Sequence, residues 1–320
     1  MYRMRSTLPK IMLLVGCLTA FSGFAQLKPQ AKLKVPKGPY FSALSPDGSR
    51  LFVTCYADSE IQIVNTGNNR TERTFYGGYE PVGIAVAPDG QKLFVTSMSG
   101  GLVKVINAQT LEILDDIKVA GRPVNVVVAP SGLQAFVLNL GRGKTGRVDF
   151  IDASSHRIQG EVNIGIRPVQ GVLSPLGDQL FVVCSASNDL YAIDVNKREV
   201  IKKISVGRGP DGIAISNDGL QLYVANSVSD DISVIDLLDL KEIRRVKVGS
   251  KPFCLTVGPN GRIFVVETGD KQVGVYDRDF RKVTSLLAQK KPIDVAVSKD
   301  GRFAYVTDEL DNRVLVFRLP

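Results

Sequence analysis

Along most of the chain, apolar residues fall in short runs of four to six that are either continuous or alternate with polar ones, and none beyond the first 25 residues repeats at helical spacing. Residues 44–54, LSPDGSRLFVT, show the unit: an apolar residue, Ser-Pro-Asp-Gly, then an apolar run. This reads as strand, tight turn, strand, with Gly48 supplying the backbone freedom the turn needs. The phrase returns at Gly90, Gly132, Gly177, Gly219, Gly261 and Gly301, at spacings of 42, 42, 45, 42, 42 and 40 residues. A near-constant period over that length means a repeat architecture and excludes a division into two domains.

Each copy carries four strand signals. A proline precedes the first: Pro39, Pro81, Pro123, Pro168, Pro210, Pro252 and Pro292. The first two runs are continuous and apolar, as in GIAVA (83–87) and LYVAN (222–226); the last two alternate, as in ISVID (232–236) and EIRRVKV (242–248). Four antiparallel strands in about 42 residues, repeated seven times, predict an all-β fold, a seven-bladed β-propeller occupying residues 26–320. The seventh copy ends after its third strand. Residues 32–39, KLKVPKGP, align with RVKVGSKP at 245–252, so the N-terminal strand is expected to complete blade 7 and close the ring.

The segments PVGIAVAPDG (81–90) and PDGIAISNDG (210–219), with second strands FVVC (181–184), YVAN (223–226) and YVTD (305–308), resemble the YVTN family of β-propellers. The resemblance covers residues 31–320. It implies an exported bacterial or archaeal propeller and no single activity, because the repeated residues are structural.

The N-terminus reads as an export signal over residues 1–25. Arg3, Arg5 and Lys10 are followed by an apolar stretch at 11–21, too short to span a bilayer, and Gly23 and Ala25 suit cleavage after Ala25. A second processing reading takes LVGC (14–17) as a lipobox, leaving a lipid anchor on Cys17. The expected location is periplasmic or secreted, with an anchored lipoprotein as the alternative. The net charge of +8 falls to +5 without the three signal cations, well below a dedicated nucleic-acid domain. Cys55, Cys184 and Cys254 sit in blades 1, 4 and 6, too far apart in a seven-fold ring to pair, and are expected as buried free thiols.

Candidate chemistry is sparse. The single histidine, His156, falls in a loop between third and fourth strands on the bottom rim and reads as a solvated loop residue rather than a general base or haem ligand. No Cys and His cluster has zinc spacing. The chain has no Trp, which sets aside quinone-cofactor propellers, whose blades depend on repeated Trp contacts. Acids gather in the loops of the opposite, top face: Asp58, Glu60, Asp189, Asp230, Asp231, Glu267, Asp270, Asp308, Glu309 and Asp311. They read as turn acids paired with neighbouring cations; calcium is the alternative, and the only cofactor the sequence admits. A lactone-opening site could draw on Glu80 and Glu267, although no spacing marks one.

The top face also carries cations before six of the seven blade prolines: Lys37, Arg122, Arg167, Arg208, Lys251, and Lys290 with Lys291. The one long repeat places three extra residues in the loop NLGRGKTG (139–146), with Arg142, Lys144 and Arg147 and no acid. A glycine-rich loop with nearby Arg suits a phosphate or carboxylate. Tyr79 and Tyr56 are expected near the same mouth, where bases of a single-stranded nucleic acid could stack. The expected ligand set is Arg122, Arg142, Lys144, Arg147, Arg167, Arg208 and Tyr79. The function expected is a non-catalytic binding or interaction scaffold, a monomer without a transmembrane segment. Its partner would be an anionic small molecule, a saccharide, a single-stranded nucleic acid or a protein. The alternative is a lactonase-type hydrolase at the top of the central channel.

Overall fold

The computed structural model describes residues 26–141 and 145–320. Its strands form seven antiparallel blades, each inner strand packed beside the inner strands of the two neighbouring blades, so that blade 7 also meets blade 1. Blade 1 runs outward through Pro39–Leu44, Arg50–Cys55, Glu60–Asn65 and Arg70–Tyr76, and blades 2 to 6 repeat the order. Blade 7 is Pro292–Val297, Phe303–Asp308 and Arg313–Arg318, completed by Ala31–Lys34. That last pairing is antiparallel, Ala31 opposite Val316 and Lys34 opposite Arg313. The N-terminal strand thus closes the ring as its repeat alignment predicts.

The apolar pattern is explained by where the cores lie. Among the described residues there are seven buried clusters, and each joins two adjacent blades. The second strands each bury one aromatic, namely Phe52, Phe94, Phe136, Phe181, Tyr223, Phe264 and Tyr305, all 3% exposed or less. Each such ring is worth roughly 2–3 kcal/mol of burial. A lone blade would leave both faces wet, which is why the repeat must come as a ring. The outer strands face solvent, and Arg70–Tyr76 is exposed at six of its seven positions.

Two elements go beyond the repeat pattern. Gln26–Leu27 pairs in parallel with the outer strand Lys282–Leu287, giving blade 6 a fifth strand. Glu309–Asp311 forms a 3₁₀ turn, ended by Asn312 in the left-handed region at φ 52°. Cys55, Cys184 and Cys254 are free and buried. Cys17 and the cleavage position Ala25 lie outside the described residues. No helix among the described residues is long and apolar enough to cross a membrane.

His156 departs from expectation. It is not simply solvated: the ring crosses to blade 2, where Lys92 Nζ lies 3.2 Å from Nε2 and Asp115 Oδ2 lies 3.1 Å from Nδ1. An ammonium can only donate, so Nε2 accepts and Nδ1 carries the proton given to Asp115. The histidine pins blade 3 to blade 2 on the bottom rim.

Candidate functional site

Every inner strand has a register shift just after its proline, for example between Pro123 and Asn125 and between Pro252 and Cys254. A bulge re-aims side chains. The residue following the proline in six blades, namely Tyr40, Val82, Val124, Val169, Asp211 and Phe253, is thereby brought to one cavity of about 370 Å³ at the top mouth of the channel. Tyr56, Met98 and Leu140 close its rim from the loops after second strands, and Arg122 and Arg167 from the loops before blades 3 and 4.

Two positions after the proline, Gln170, Cys254 and Asp294 are polar and, with Ser42 of blade 1, link into a belt across the channel. Gln170 reaches from blade 4 to blade 6, its Nε2 3.7 Å from Cys254 Sγ, while its Oε1 accepts the Ile213 N–H at 3.0 Å. The Cys254 thiol donates to Asp294 Oδ1 at 3.2 Å. Asp294 Oδ2 accepts both the N–H and the hydroxyl of Ser42, at 2.8 and 2.6 Å. Burial pushes the Asp294 carboxyl and the Cys254 thiol above their ordinary ranges. The belt is drawn tight where Gly83 and Gly212 lie: a Cβ at Gly83 would sit 2.6 Å from Asn125 Cα, and one at Gly212 2.8 Å from the Phe253 carbonyl.

The mouth itself is half aromatic. Tyr40 meets Phe41, Tyr56 and Phe253 edge to face, with centroids 4.8, 5.9 and 6.1 Å apart. These contacts fix the ring, while its hydroxyl has no hydrogen-bond partner among the described residues. Burial first, then the charges of Asp211 and Glu309, raise the Tyr40 hydroxyl above the ordinary tyrosine range. Asp211 accepts the Ser227 hydroxyl through Oδ2 at 2.5 Å, and burial raises its carboxyl despite that bond and the field of Arg167. The Arg122 and Arg167 side chains are exposed and form no ion pair among the described residues; Arg122 approaches only Met98 Sδ, at 3.5 Å.

The acids of the top face are engaged in holding loops. Asp308 accepts three successive backbone N–H groups, of Gln289, Lys290 and Lys291, each at 2.8 Å. Glu267, fully buried, accepts from the Gly249 N–H, Gln272, Tyr276 and Lys282. Asp58 accepts the Lys37 N–H, Asp230 the Lys251 N–H and Asp270 the Ser250 N–H. Asp189 pairs with Lys203, Asp231 with Lys247, Glu309 with Lys291, and Asp311 with Lys290 and Arg313. Among the described residues, no three of His, Cys, Asp and Glu form a group able to hold a metal.

Residues 171–259, two consecutive repeats, match a family described as YNCE-like β-propeller. The chain is a seven-bladed β-propeller, and its repeats fit the YVTN type. No curated protein matches it significantly. Among solved structures, this propeller is similar to a chain of Kuenenia stuttgartiensis hydrazine synthase. The identity is 20%, the TM-score 0.83, and the match covers 89% of this chain and 96% of that one; at that identity the likeness is one of fold.

Within the propeller, the residues expected at the ligand site separate. Arg122 and Arg167 line the cavity. Arg142 and Lys144 lie outside the described residues. Arg147 is turned into blade 3, 2.7 Å from Asp149 and 2.6 Å from Glu161, so the absence of acids inferred for that sector does not hold around it. Arg208 does not line the cavity; its N–H is bound by the Ser229 hydroxyl. Tyr79 stands outside as well, 65% exposed and edge-on to Tyr76. Glu80 bonds Ser99, and Glu267 faces into blade 6, so the two carboxylates considered for lactone opening do not meet at the cavity. The sequence reading missed Tyr40, Asp211 and Phe253. Their signal is positional: each follows a blade proline where blades 2, 3 and 4 carry Val.

Proposed function

We propose that this propeller is an exported, non-catalytic binding protein whose site is the top mouth of the channel. The ligand is a small molecule with a flat or branched apolar body and an anionic group. One observation carries this reading: two exposed guanidinium groups, Arg122 and Arg167, form no ion pair among the described residues and stand on the rim of a cavity of about 370 Å³ whose walls are mainly valine and aromatic. Its size and lining are those of small-molecule sites, mostly apolar with a few convergent polar groups. A guanidinium fork favours carboxylate or phosphate.

The test is calorimetric titration with 3-phenylpropionate and with its uncharged counterpart 3-phenylpropanol, on the parent and on Arg122→Ala/Arg167→Ala. The parent is expected to prefer the acid at least tenfold, and the double variant to lose that preference while melting like the parent. Equal binding of acid and alcohol by the parent would dismiss the mouth as an anion site.

A further inference from the structure

The mouth holds more than cations. Asp211 enters it from blade 5, beside Arg167 from the loop before blade 4. Ser227 occupies Oδ2 of Asp211, and Oδ1 has no hydrogen-bond partner among the described residues. No cation among the described residues forms an ion pair with this carboxylate, although Arg167 lines the same cavity. From blade 1, Tyr40 lines the same cavity as Asp211 and Arg167, and its hydroxyl has no hydrogen-bond partner among the described residues. The cavity therefore contains an uncommitted acid, an uncommitted base and a fixed hydroxyl above an apolar wall.

We propose that the ligand is a zwitterion carrying an ammonium and a carboxylate on the same carbon, an α-amino acid with a large apolar side chain. Its ammonium meets Asp211 and the Tyr40 hydroxyl, its carboxylate meets Arg167, and its side chain lies on Val124, Val169 and Phe253. This rests on the reading of the mouth as an anion-binding site and adds its second half. A simple anion drawn to Arg167 would sit against a half-buried carboxylate and leave it unpaired; a simple amine would do the same to the guanidinium. Only a ligand with both charges adjacent satisfies both groups, and an unpaired buried charge is what costs most on binding.

The experiment compares L-phenylalanine, N-acetyl-L-phenylalanine, 3-phenylpropionate and phenethylamine by calorimetry. L-Phenylalanine is expected to bind at least tenfold more tightly than each of the other three. In Asp211→Asn, which can keep the Ser227 contact, that advantage is expected to vanish while 3-phenylpropionate binds as well as before or better. Tyr40→Phe, a milder change, is expected to weaken L-phenylalanine several-fold more than it weakens 3-phenylpropionate. If 3-phenylpropionate binds and L-phenylalanine is no tighter, or if Asp211→Asn keeps the advantage, the zwitterion inference is overturned and the anion site stands. If no carboxylate binds at all, both fall.

Discussion

The hydroxyl of Tyr56 in blade 1 donates to Oε1 of Glu309 in blade 7 at 2.8 Å, bridging the junction where the ring closes. Lys291 holds the other oxygen of the same carboxylate, at 2.5 Å. The bond raises the tyrosine to about 12 from its ordinary 10.0, with burial adding to it. The folded state prefers the neutral phenol. The stabilisation is therefore complete below pH 10 and is lost as pH rises from 10 toward 12. Tyr56→Phe should cost about 1.5 kcal/mol, the low end for a hydrogen bond to a charged group because the bond is only part-buried. Thermal melts should show that loss at pH 7, and the difference between the two proteins should shrink steadily between pH 10 and about 12.

Ring closure has a more direct test. Beginning the chain at Lys37 removes Ala31–Lys34 and exposes Arg313–Arg318 as a bare edge. The trimmed protein should melt far below the parent and scatter light on heating. Leu33→Pro, opposite Val314 in the ladder, should give a milder form of the same defect, because proline cannot donate. A trimmed protein that melts like the parent would refute this closure.

Glu267 takes four donors while fully buried. Glu267→Ala would strand the Lys282 ammonium and the Tyr276 hydroxyl together, and about 3 kcal/mol or more should be lost, as when one partner of a buried pair is removed. Glu267→Gln keeps the shape and should cost less. Denaturant midpoints on both variants check the order.

The bottom-face turns should respond to acid. Asp47 and Asp300 are both held at about 2, from an ordinary 3.8, chiefly by the Ser45 and Ser298 hydroxyls. Their contribution is present above pH 3.8 and disappears as pH falls toward 2. The backbone amides of Ser49 and Arg302, which donate to these carboxylates, should report midpoints near 2 in an NMR titration. Midpoints near 4 would contradict the hydrogen bonding.

Thiol chemistry gives a fifth check. In a chain beginning at Gln26, a disulfide-exchange reagent should find none of Cys55, Cys184 and Cys254 in the native state and three equivalents in denaturant. Burial pushes the Cys184 thiol up to about 12 and Cys254 well above its usual value, so neither thiolate is available at neutral pH.

The blade count and the closure were readable because both depend on backbone pattern: a turn glycine every 42 residues or so, and an N-terminal segment that aligns with a missing strand. The mouth was only half readable. Arg122 and Arg167 were visible as loop cations, and the same rule also admitted Arg208, which does not line the cavity. Arg147 had one acid within view, Asp149 two residues on and on the same face of its strand, while the other, Glu161, comes from the next strand. Asp211 and Tyr40 were hidden for another reason. Each sits in an inner strand, a place that reads as core, and only the bulge after the proline turns it to the cavity. The role of His156 depends on Lys92 and Asp115, a repeat away in sequence, and could not be seen from its own loop.

The pairing of Ala31 with Val316 has a consequence for how the protein is made. The strand at 31–34 must wait, unpaired, until its partner at 313–316 has been synthesised. Until residues 313–318 emerge, blade 7 has no third strand for it to join, and the partial chain is an open arc with an adhesive edge at each end. Closure therefore depends on residues far apart in the chain, since a product that stops before Arg313 lacks the partner of Ala31–Lys34. Such a product is left exposed to proteases and to pairing with its own kind.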